Sequence, residues 1–430
     1  FNLFLEVVMM TTPYPNPTLR LENNALMLEN VHLNDVARVH GTPLYVYSKA
    51  ALQSAWDAWQ VPADRPIHIC YAVKANSNLA ILSFFAKQGA FFDTVSMGEI
   101  SRALVAGAPA DRIVFSGVGK SVAEIEFALT EGIHCFNVES ITELDRIHAV
   151  ATRLGKQAPI SLRINPDVDA KTHPYISTGL KENKFGIDHT EALAAYKHAA
   201  TLSGLKIVGI DYHIGSQLTS LTPYLDAQNR LFGLIKQLSD AGITLTHIDL
   251  GGGLGVRYRD EVPPTASSLI EQALTGLREA GFNHALMFEP GRSLVANAGV
   301  MLTEVEYLKP TQHKNFAIVD AGMNDLIRPA LYQAWMQVVN TVERGTATTT
   351  YDIVGPVCES TDWFAKDRDL TLEAGDVLAI LSAGAYCMTM ASNYNTRQRP
   401  AELLVDGDAV HVIRTRDALA SLWENEHIPA

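Results

Sequence analysis

Lys74 is the first residue whose neighbours in the sequence indicate chemistry. It follows the apolar run Ile67–Val73 directly, and the small polar residues Asn76 and Ser77 separate it from a helical pattern. This order predicts a lysine at the C-terminal end of a buried strand. Burial of a primary ammonium is unfavourable unless the group is paired or used covalently. The structural alternative is a lysine that extends to solvent.

A glycine-rich run, Gly251–Gly255, follows the predicted strand Ile248–Leu250. Because glycine has no Cβ, backbone amides can surround an anion here, so the run favours a phosphate site. No Lys-Ser or Lys-Thr pair follows, so it is not a Walker loop. The motif Glu289–Arg292 ends the next strand, and the loops after the last two strands are the usual phosphate site of a (β/α)8 barrel. The alternatives are a tight turn for the glycines and a surface ion pair between Glu289 and Arg292.

A lysine, a phosphate cradle and an acidic residue in one pocket indicate pyridoxal phosphate. The lysine would form a Schiff base with the aldehyde. An acidic group would keep the pyridine nitrogen protonated, so that the ring can accept electrons. His213, in the apolar run Ile207–Ile214, is a candidate for stacking on the ring face. A hydrogen-bonded structural histidine is the alternative for this position.

Apolar runs alternate with helical patterns from Ile67 to Phe288. Continuous apolar strands that are separated by helices predict a parallel sheet. Eight such units favour a closed (β/α)8 barrel, with an open doubly wound sheet as the alternative. The predicted strands are Ile67–Val73, Phe91–Val95, Ile113–Phe115, Ile133–Val138, Ile160–Ile164, Ile207–Ile214, Leu245–Leu250 and Leu286–Phe288. The predicted helices are Leu79–Gln88, Met97–Ala106, Val122–Thr130, Ile141–Leu154, Glu191–Leu202, Pro223–Ala241 and Ala266–Ala280.

The pattern changes after about Val295 to short alternating strands with turn residues, which predicts a C-terminal antiparallel β domain. Asp406–Asp408 has the composition of a hairpin turn. Pro43–Tyr47 is a predicted strand that joins this domain, and Ser48 is the predicted N-cap of a helix at Lys49–Trp59. The predicted strands of the domain are Val300–Tyr307, Phe316–Asp320, Tyr351–Val354, Val377–Leu381, Glu402–Val405 and Ala409–Ile413.

We therefore expect three regions. Residues 1–42 would pack with the β domain, residues 43–295 would form the cofactor-binding barrel, and residues 296–430 would form the C-terminal β domain. In such a barrel, chemistry takes place at the C-terminal ends of the strands. Ionisable or glycine-rich positions occur at nearly every predicted strand end, so we expect one convergent pocket. They are Lys74, Asp93, Asn137, Glu139, Arg163, His213, Ser216, Gly251–Gly253 and Glu289–Arg292.

The composition excludes several classes of partner. A net charge of −13 argues against nucleic acid and against an anionic membrane surface, and no apolar run is long enough to span a bilayer. The four cysteines form no CxxC pair, so we expect no metal site and a reduced, cytoplasmic environment. Residues 1–10 do not form a convincing secretory signal, and we expect the natural chain to begin at Met9 or Met10.

Eight short motifs stand in the chain between about Pro43 and Gly407. They are Tyr71–Asn76, His213–Ser216, Gly251–Gly255, Glu289–Arg292, Arg328–Tyr332, Cys358–Asp362, Gly384–Tyr386 and Ser392–Asn395. Together they resemble the diaminopimelate decarboxylase family of alanine-racemase-like (fold type III) pyridoxal-phosphate enzymes. Thr361 departs from the family pattern, which has glycine there, and the segment Cys387–Met390 after Tyr386 also varies from it. Neither departure removes a functional group.

The resemblance implies roles for residues in seven of these motifs. Lys74 would bind the cofactor as a Schiff base, Glu289 would pair with the pyridine nitrogen, and His213 would stack on the ring. Asp93 would support the lysine, and Cys358 would donate a proton to the product carbon. The residues implied around the phosphate are Ser216, Gly252, Gly253, Gly291, Arg292 and Tyr386. The residues implied to bind the substrate are Arg292, Arg328, Tyr332, Glu359 and Tyr386.

The implied reaction is the decarboxylation of meso-2,6-diaminopimelate to L-lysine and CO2, the last step of lysine biosynthesis. The residue types agree with it, because Arg292 and Arg328 match a distal carboxylate by bidentate geometry and Glu359 matches a distal ammonium. Ornithine has no distal carboxylate and would leave both arginines unpaired. The resemblance also implies an obligate head-to-tail homodimer, in which Cys358 and Glu359 reach the active site of the other subunit.

Three alternatives stay open at this point. The first is a related fold type III decarboxylase of ornithine, lysine, arginine or a carboxylated polyamine. The second is an alanine-type racemase, which needs acid–base groups on both faces of the substrate and no site for a distal carboxylate. The third is a non-catalytic pyridoxal-phosphate carrier, which would resemble the barrel alone. The C-terminal domain with Cys358 and Tyr386 argues against the third.

Overall fold

The structure is a computed structural model, and it describes residues 13–168 and 184–429. The expected start at Met9 or Met10 lies outside these residues. The chain divides into two compact units. Of the described residues, those within Asp57–Val256 and Val262–Ser293 form the barrel unit, and those within Phe1–Trp56, Arg257–Glu261 and Leu294–Ala430 form the β unit. The division into domains at residues 42 and 295 stays a prediction.

From residue 13 onwards, the N-terminal part of the β unit contains four strands. They are β1 (Leu19–Glu22), β2 (Ala25–Leu28), β3 (Val31–His32) and β4 (Leu44–Ser48). Strands β1 to β3 form a small antiparallel sheet, and a helix spans Leu33–His40. The next helix is Lys49–Asp57. The Oγ of Ser48 accepts a hydrogen bond of 3.0 Å from the amide of Ala51, which confirms the predicted N-cap.

The barrel unit is built on nine parallel strands among its described residues. They are β5 (Ile67–Ala72), β6 (Phe91–Thr94), β7 (Ile113–Phe115), β8 (Cys135–Val138), β9 (Ala158–Asn165), β10 (Ile187–Asp188), β11 (Leu205–Asp211), β12 (His247–Asp249) and β13 (Ala285–Phe288). Strand β13 pairs with β5, and β8 pairs with β9, so eight strands close into a ring. The two-residue β10 is added beside β9. The predicted closed barrel is confirmed, and the open sheet is wrong.

Helices cover the outside of the ring. They are Leu79–Lys87, Met97–Val105, Val122–Glu131, Ile141–Arg153, Ala192–Thr201, Thr222–Asp240 and Ala266–Glu279. Five of them begin at a side-chain cap that accepts a backbone N–H, which fixes where each helix starts. The caps are Asn78, Ser96, Ser121, Ser140 and Thr265. Several helices start within six residues of the preceding strand, whereas ten residues separate β11 from the helix Thr222–Asp240 and sixteen separate β12 from the helix Ala266–Glu279.

The rest of the β unit contributes eight strands among its described residues. They are β14 (Gly299–Pro310), β15 (Asn315–Val319), β16 (Val338–Asn340), β17 (Thr349–Val354), β18 (Trp363–Leu370), β19 (Val377–Ile380), β20 (Ala401–Asp406) and β21 (Ala409–Arg414). Short helices span Arg292–Val295 and Arg328–Tyr332. Strand β4 pairs with β14 and with β20, so the N-terminal strand joins this sheet as predicted. The pairs β4–β20 and β15–β17 are parallel, whereas the remaining pairs are antiparallel.

One apolar cluster holds the N-terminal strands and the C-terminal sheet together. Leu28 and Val36 pack in it with Val46, Leu302 and Leu403. The sequence pattern missed β16 and β18. Strand β18 was missed because it is partly exposed and carries several charged residues. Within residues 13–168 and 184–429, none of the helices combines the length and the apolar character needed to cross a membrane.

Candidate active site

Lys74 lies two residues beyond the end of β5, in the single 3-10 turn Val73–Ala75. Its Nζ donates to Oδ2 of Asp93 at 2.6 Å. Asp93 is on β6 and has no exposed side-chain surface, whereas the lysine side chain is 40% exposed. Within the described residues, Oδ1 of Asp93 is buried and has no hydrogen-bond partner. The lysine is therefore ion-paired through its amine, while part of its side chain is exposed.

The glycine run packs against two neighbouring strand-end loops. A Cβ on Gly252 would lie 2.1 Å from the carbonyl oxygen of Glu289, and a Cβ on Gly253 would lie 2.2 Å from that of Gly215. Gly253 also has a φ of +107°, which disfavours any other residue. Gly291 is confined in the same way, since its Cβ would meet that of Ala75 at 2.9 Å. These positions require glycine for backbone packing, and the same packing brings the loops after β11, β12 and β13 together.

His213 and Arg292 are oriented by contacts between these loops. The amide of Gly252 donates to Nδ1 of His213 at 3.1 Å. Burial lowers the pKa of His213 well below its usual value, and the charges of Arg163 and Lys74 lower it further. The imidazole is therefore neutral, with its proton on Nε2. Arg292 is buried and donates from Nη2 to the Oγ of Ser216 at 2.9 Å.

Glu289 is one of three buried carboxyl groups at the ends of β11, β12 and β13. Oxygen atoms of Asp211, Asp249 and Glu289 all lie within 4.8 Å of one another. Burial raises the pKa of Glu289 well above its usual range, and Asp249, Asp93 and Asp211 raise it further. Burial also raises the pKa of Asp249 to about 7. Nδ2 of Asn137 donates to Oε1 of Glu289 at 3.2 Å. Such a cluster can hold a cationic group.

Arg163 supplies a buried positive charge to the same barrel end. Its Nη1 donates to Oε1 of Glu139 at 3.0 Å, and its Cζ lies 4.9 Å from the ring centre of Phe185. Burial lowers the pKa of Arg163, but Glu139 and then Asp211 outweigh this effect and raise it above its usual value. The strand-end groups therefore form one electrostatic network.

The groups in the barrel unit fit pyridoxal phosphate. The amine of Lys74 suits an aldehyde, and the carboxyl of Glu289 suits a ring nitrogen that becomes positively charged. The buried Oδ1 of Asp93 adds negative potential beside the amine. The neutral His213 offers an aromatic face without a competing charge. The guanidinium of Arg292 and the hydroxyl of Ser216 suit phosphate oxygens.

Arg328 and Tyr332 lie on the short helix Arg328–Tyr332 of the β unit. Arg328 is buried, and its Nη1 donates to the hydroxyl of Tyr258 at 2.5 Å. Its Cζ also lies 4.8 Å from the centre of the Tyr258 ring, which is a cation–π contact. Burial lowers the pKa of Arg328, but Tyr258, Cys387 and Tyr386 together raise it above its usual value. Arg328 is therefore a buried cation that stays charged.

Tyr386 lies two residues after Gly384, a position that has no space for a side chain. A Cβ on Gly384 would lie 1.8 Å from the carbonyl oxygen of Val295. Tyr386 itself has a φ of +56°, in the left-handed region that non-glycine residues rarely adopt. The chain therefore holds this tyrosine in a strained backbone conformation, which is common at binding sites.

Cys358 and Glu359 lie in the loop between β17 and β18, and both are exposed in the single chain. The Oη of Tyr394 donates to Oε1 of Glu359 at 2.7 Å. The predicted site residues thus fall into two sets, and each set is described within its own unit. The set in the barrel unit is Lys74, Asp93, His213, Ser216, Gly252, Gly253, Glu289, Gly291 and Arg292. The set in the β unit is Arg328, Tyr332, Cys358, Glu359 and Tyr386.

Sequence reasoning missed four residues that contact or surround these sets: Asp211, Asp249, Tyr258 and Tyr394. Asp211 and Asp249 end their strands, so the rule that named Asp93 could have found them. Their apolar neighbours concealed this position, because each aspartate stood inside a predicted apolar run. Tyr258 carried no such signal, since its partner Arg328 is distant in the sequence, and Tyr394 stood in the motif Ser392–Asn395 without an assigned role.

Comparison with known proteins agrees with this geometry. The family described as "Pyridoxal-dependent decarboxylase, pyridoxal binding domain" matches residues 49–296. "Diaminopimelate decarboxylase" of Pseudomonas aeruginosa is 56% identical over 412 residues, covering 96% of this chain and 99% of that protein. The crystal structure of diaminopimelate decarboxylase from Helicobacter pylori complexed with L-lysine is 46% identical with a TM-score of 0.88, and the match covers 91% of this chain and 98% of that one. The M. jannaschii enzyme in co-complex with L-lysine is 37% identical with a TM-score of 0.92, covering 97% and 99%.

Proposed function

The chain belongs to the diaminopimelate decarboxylase family of pyridoxal-dependent decarboxylases, and on this premise we propose that it converts meso-2,6-diaminopimelate to L-lysine and CO2. The observation that carries the proposal is the amine of Lys74, 2.6 Å from the carboxylate of Asp93. The Gly251–Gly253 run and Glu289 occupy loops at the same barrel end. An amine for the aldehyde, a phosphate site and an acid for the ring nitrogen are the three groups that this chemistry requires.

The cofactor in this proposal is pyridoxal 5'-phosphate, and Lys74 is the residue that binds its aldehyde. When bound, the cofactor supplies a ring that accepts the electrons released as the α-carboxylate leaves. Asp93 holds the lysine side chain in place through its charge. The proposed phosphate-binding residues are Ser216, Gly252, Gly253, Gly291, Arg292 and Tyr386. The hydrogen bond from Arg292 to Ser216 supports a common orientation for these two.

Glu289 would hold the proton at the pyridine nitrogen. Its raised pKa favours the protonated form of the carboxyl, so Glu289 can supply a proton to a basic ring nitrogen. The resulting carboxylate would then be compensated by the cationic ring. His213 would pack on the ring face, and the hydrogen bond from Gly252 keeps its neutral imidazole oriented.

Charge complementarity supports diaminopimelate as the substrate. Diaminopimelate carries an ammonium and a carboxylate at each end, so a selective site must pair four charges. Arg292 and Arg328 are proposed to bind carboxylate, together with Tyr332 and Tyr386, and Glu359 to bind the distal ammonium. Arg328 is preorganised for this role, because its guanidinium is fixed by the hydroxyl and the ring of Tyr258. Substrates without a distal carboxylate would leave such a buried cation unpaired.

Cys358 is the proposed donor of the proton that replaces the lost carboxylate. A thiol can supply this proton to one face of the carbon. Its exposure in the single chain fits a loop that acts in a neighbouring subunit. We therefore propose a homodimer in which Cys358 and Glu359 of one subunit complete the active site of the other. We also propose a cytoplasmic location, because the four cysteines form no disulfide with one another in the described part of the chain.

A CO2-release assay tests the proposal. Purified protein with pyridoxal phosphate should release CO2 from meso-diaminopimelate and form lysine in equal amount. Rates with ornithine, lysine and arginine should be lower by a large factor. Faster release from ornithine would contradict the substrate assignment, and loss of optical activity without gas would identify a racemase. Binding of the cofactor without turnover of any of these compounds would support a non-catalytic carrier.

A further inference from the structure

The loop that carries Glu359 is fixed at its base by a buried carboxylate. The side chain of Asp362 accepts a hydrogen bond from the amide of Val357 on Oδ2 and one from the amide of Met323 on Oδ1, each at 2.6 Å. A Cβ on Gly355 would lie 2.4 Å from Oδ2 of Asp362, so the chain passes close to this carboxylate. The backbone of the loop is therefore ordered, although the side chain of Glu359 is exposed.

The side chain of Glu359 is held from a different segment. The Oη of Tyr394 donates to its Oε1 at 2.7 Å, across 35 positions of sequence. The hydrogen bond to Glu359 raises the pKa of Tyr394, which keeps the phenol protonated as a donor. Tyr394 is about half exposed, at 47%, so packing alone does not account for its orientation.

The segment that presents Tyr394 is strained and tightly held. Asn395 and Thr396 have φ angles of +56° and +55°, in the left-handed region. This conformation is unfavourable for a β-branched residue such as Thr396 and persists only where the surroundings impose it. The amide of Ser392 donates to the carbonyl of Asn324 at 2.8 Å, and Nδ2 of Asn393 donates to the carbonyl of Arg397 at 2.8 Å. Backbone strain at this position indicates a functional reason for the placement of the tyrosine.

We propose that Tyr394 is a positioning residue for Glu359 in the recognition of the distal ammonium of the substrate. The inference rests on the proposed function. The tyrosine hydroxyl binds Oε1 and leaves Oε2 to receive the ammonium. A neutral donor orders the carboxylate without cancelling its charge, whereas a lysine or arginine would compete with the ammonium. Tyr394 thereby makes the site selective for substrates that carry a second amino group.

The kinetic test compares Tyr394→Phe with the unchanged enzyme on two substrates. The first is meso-diaminopimelate, and the second is 2-aminoheptanedioate, which has the distal carboxylate but no distal amine. We expect KM for diaminopimelate to rise roughly fivefold, the effect of losing one hydrogen bond to a charged group at an exposed site, with little change in kcat. KM for 2-aminoheptanedioate should not change. In a Glu359→Ala background, which has no side-chain acceptor for Tyr394, Tyr394→Phe should have no further effect on diaminopimelate.

Tyr307→Phe is the matched control, because Tyr307 is an exposed tyrosine on β14 outside the proposed site. It should leave both KM values unchanged. An equal loss of activity by Tyr394→Phe on both substrates, together with a lower unfolding temperature, would mean that the tyrosine is only structural and would overturn the proposal. An undiminished effect of Tyr394→Phe on KM for diaminopimelate in the Glu359→Ala background would also overturn it.

A crystal structure of Tyr394→Phe separates this inference from the proposed function. If Tyr394 positions Glu359, the carboxylate of Glu359 should move or lose order while the loop base at Asp362 is unchanged. A Glu359 side chain in its original position would overturn the inference, whatever the enzyme does with diaminopimelate. If the unchanged enzyme releases no CO2 from diaminopimelate, the proposed function fails, and the role in ammonium recognition fails with it.

Discussion

The amine of Lys74 lies 2.6 Å from Oδ2 of Asp93, and the two side chains differ sharply in exposure. The carboxylate has no exposed surface, whereas the lysine is 40% exposed. A buried carboxylate therefore holds the amine of Lys74 at the strand-end side of the barrel, while part of the lysine side chain stays exposed. The same barrel end carries the buried carboxyl groups of Asp211, Asp249 and Glu289. This arrangement affects both cofactor binding and stability.

Asp93→Asn should weaken cofactor binding without weakening the fold. The amide keeps the shape of the side chain but removes the charge that holds Lys74, so the affinity for pyridoxal phosphate should fall about tenfold. The unfolding temperature of the cofactor-free protein should stay equal or rise, because an unfavourable buried charge is removed. Absorbance titration and thermal unfolding measure the two effects. Asp406→Asn, which breaks the exposed pair with Lys49, is the control and should change neither. Equal affinity in Asp93→Asn would rule out the holding role.

Asp249→Asn should stabilise the cofactor-free protein more at high pH than at low pH. The usual pKa of an aspartate is 3.8, and burial raises that of Asp249 to about 7. The folded state therefore binds an extra proton between these values, and the stability contributed by this group falls as pH rises through the window. Asparagine does not titrate and can still accept the hydrogen bond from Gly251. Its stabilising effect should be roughly 2 kcal/mol larger at about pH 8 than at about pH 5. A pH-independent difference in denaturant unfolding would contradict the assignment.

His247→Phe should show the opposite dependence on pH. Burial and the neighbouring His134, His68 and His284 lower the pKa of His247 from 6.5 to about 3. The unfolded chain therefore takes up a proton that the folded barrel excludes, and stability falls as pH drops below 6.5. Phenylalanine keeps a ring in the space that Gly209 leaves open and does not titrate. The variant should gain stability relative to the original protein as pH falls from about 7 to about 4, by thermal unfolding. His411→Phe, at an exposed histidine, is the control. If the original protein and His247→Phe lost stability equally on acidification, the prediction would be contradicted.

Inactive Cys358→Ala and Lys74→Ala subunits should partly restore activity when mixed. In a dimer with shared sites, a mixed dimer has one site with an intact lysine and an intact cysteine from the other chain. Random exchange should give roughly a quarter of the original activity, because half of the dimers are mixed and each has one intact site. Activity before and after dissociation and reassociation measures this. No recovery after proven subunit exchange would contradict shared sites.

The barrel could be predicted because each strand is buried on both faces and therefore reads as a continuous apolar run. Lys74, Glu289 and the glycine run could be found for the same reason, since polar residues stand out at the ends of such runs. β18 could not be found, because its sequence Trp363–Leu370 alternates poorly and is rich in charge. Local sequence does not show that a partner strand covers one of its faces.

The contacts that tune the candidate site were harder to predict. Tyr394 and Glu359 are 35 positions apart, and Tyr258 and Arg328 are 70 apart. No periodicity connects such pairs, because they meet through the fold rather than through a helix or a hairpin. The carboxylate cluster could be predicted in principle from strand ends, but its raised pKa values depend on burial, which sequence alone does not give.

The attachment of pyridoxal phosphate to Lys74 is the step on which all the proposed chemistry depends. Borohydride reduction of the cofactor-loaded protein turns the bond between the aldehyde and its lysine into a stable amine, which peptide mass spectrometry can locate. We expect a pyridoxyl group on Lys74, and loss of both the label and the visible absorbance band in Lys74→Ala. A label on another lysine of the native protein, or an unchanged spectrum in Lys74→Ala, would contradict this attachment.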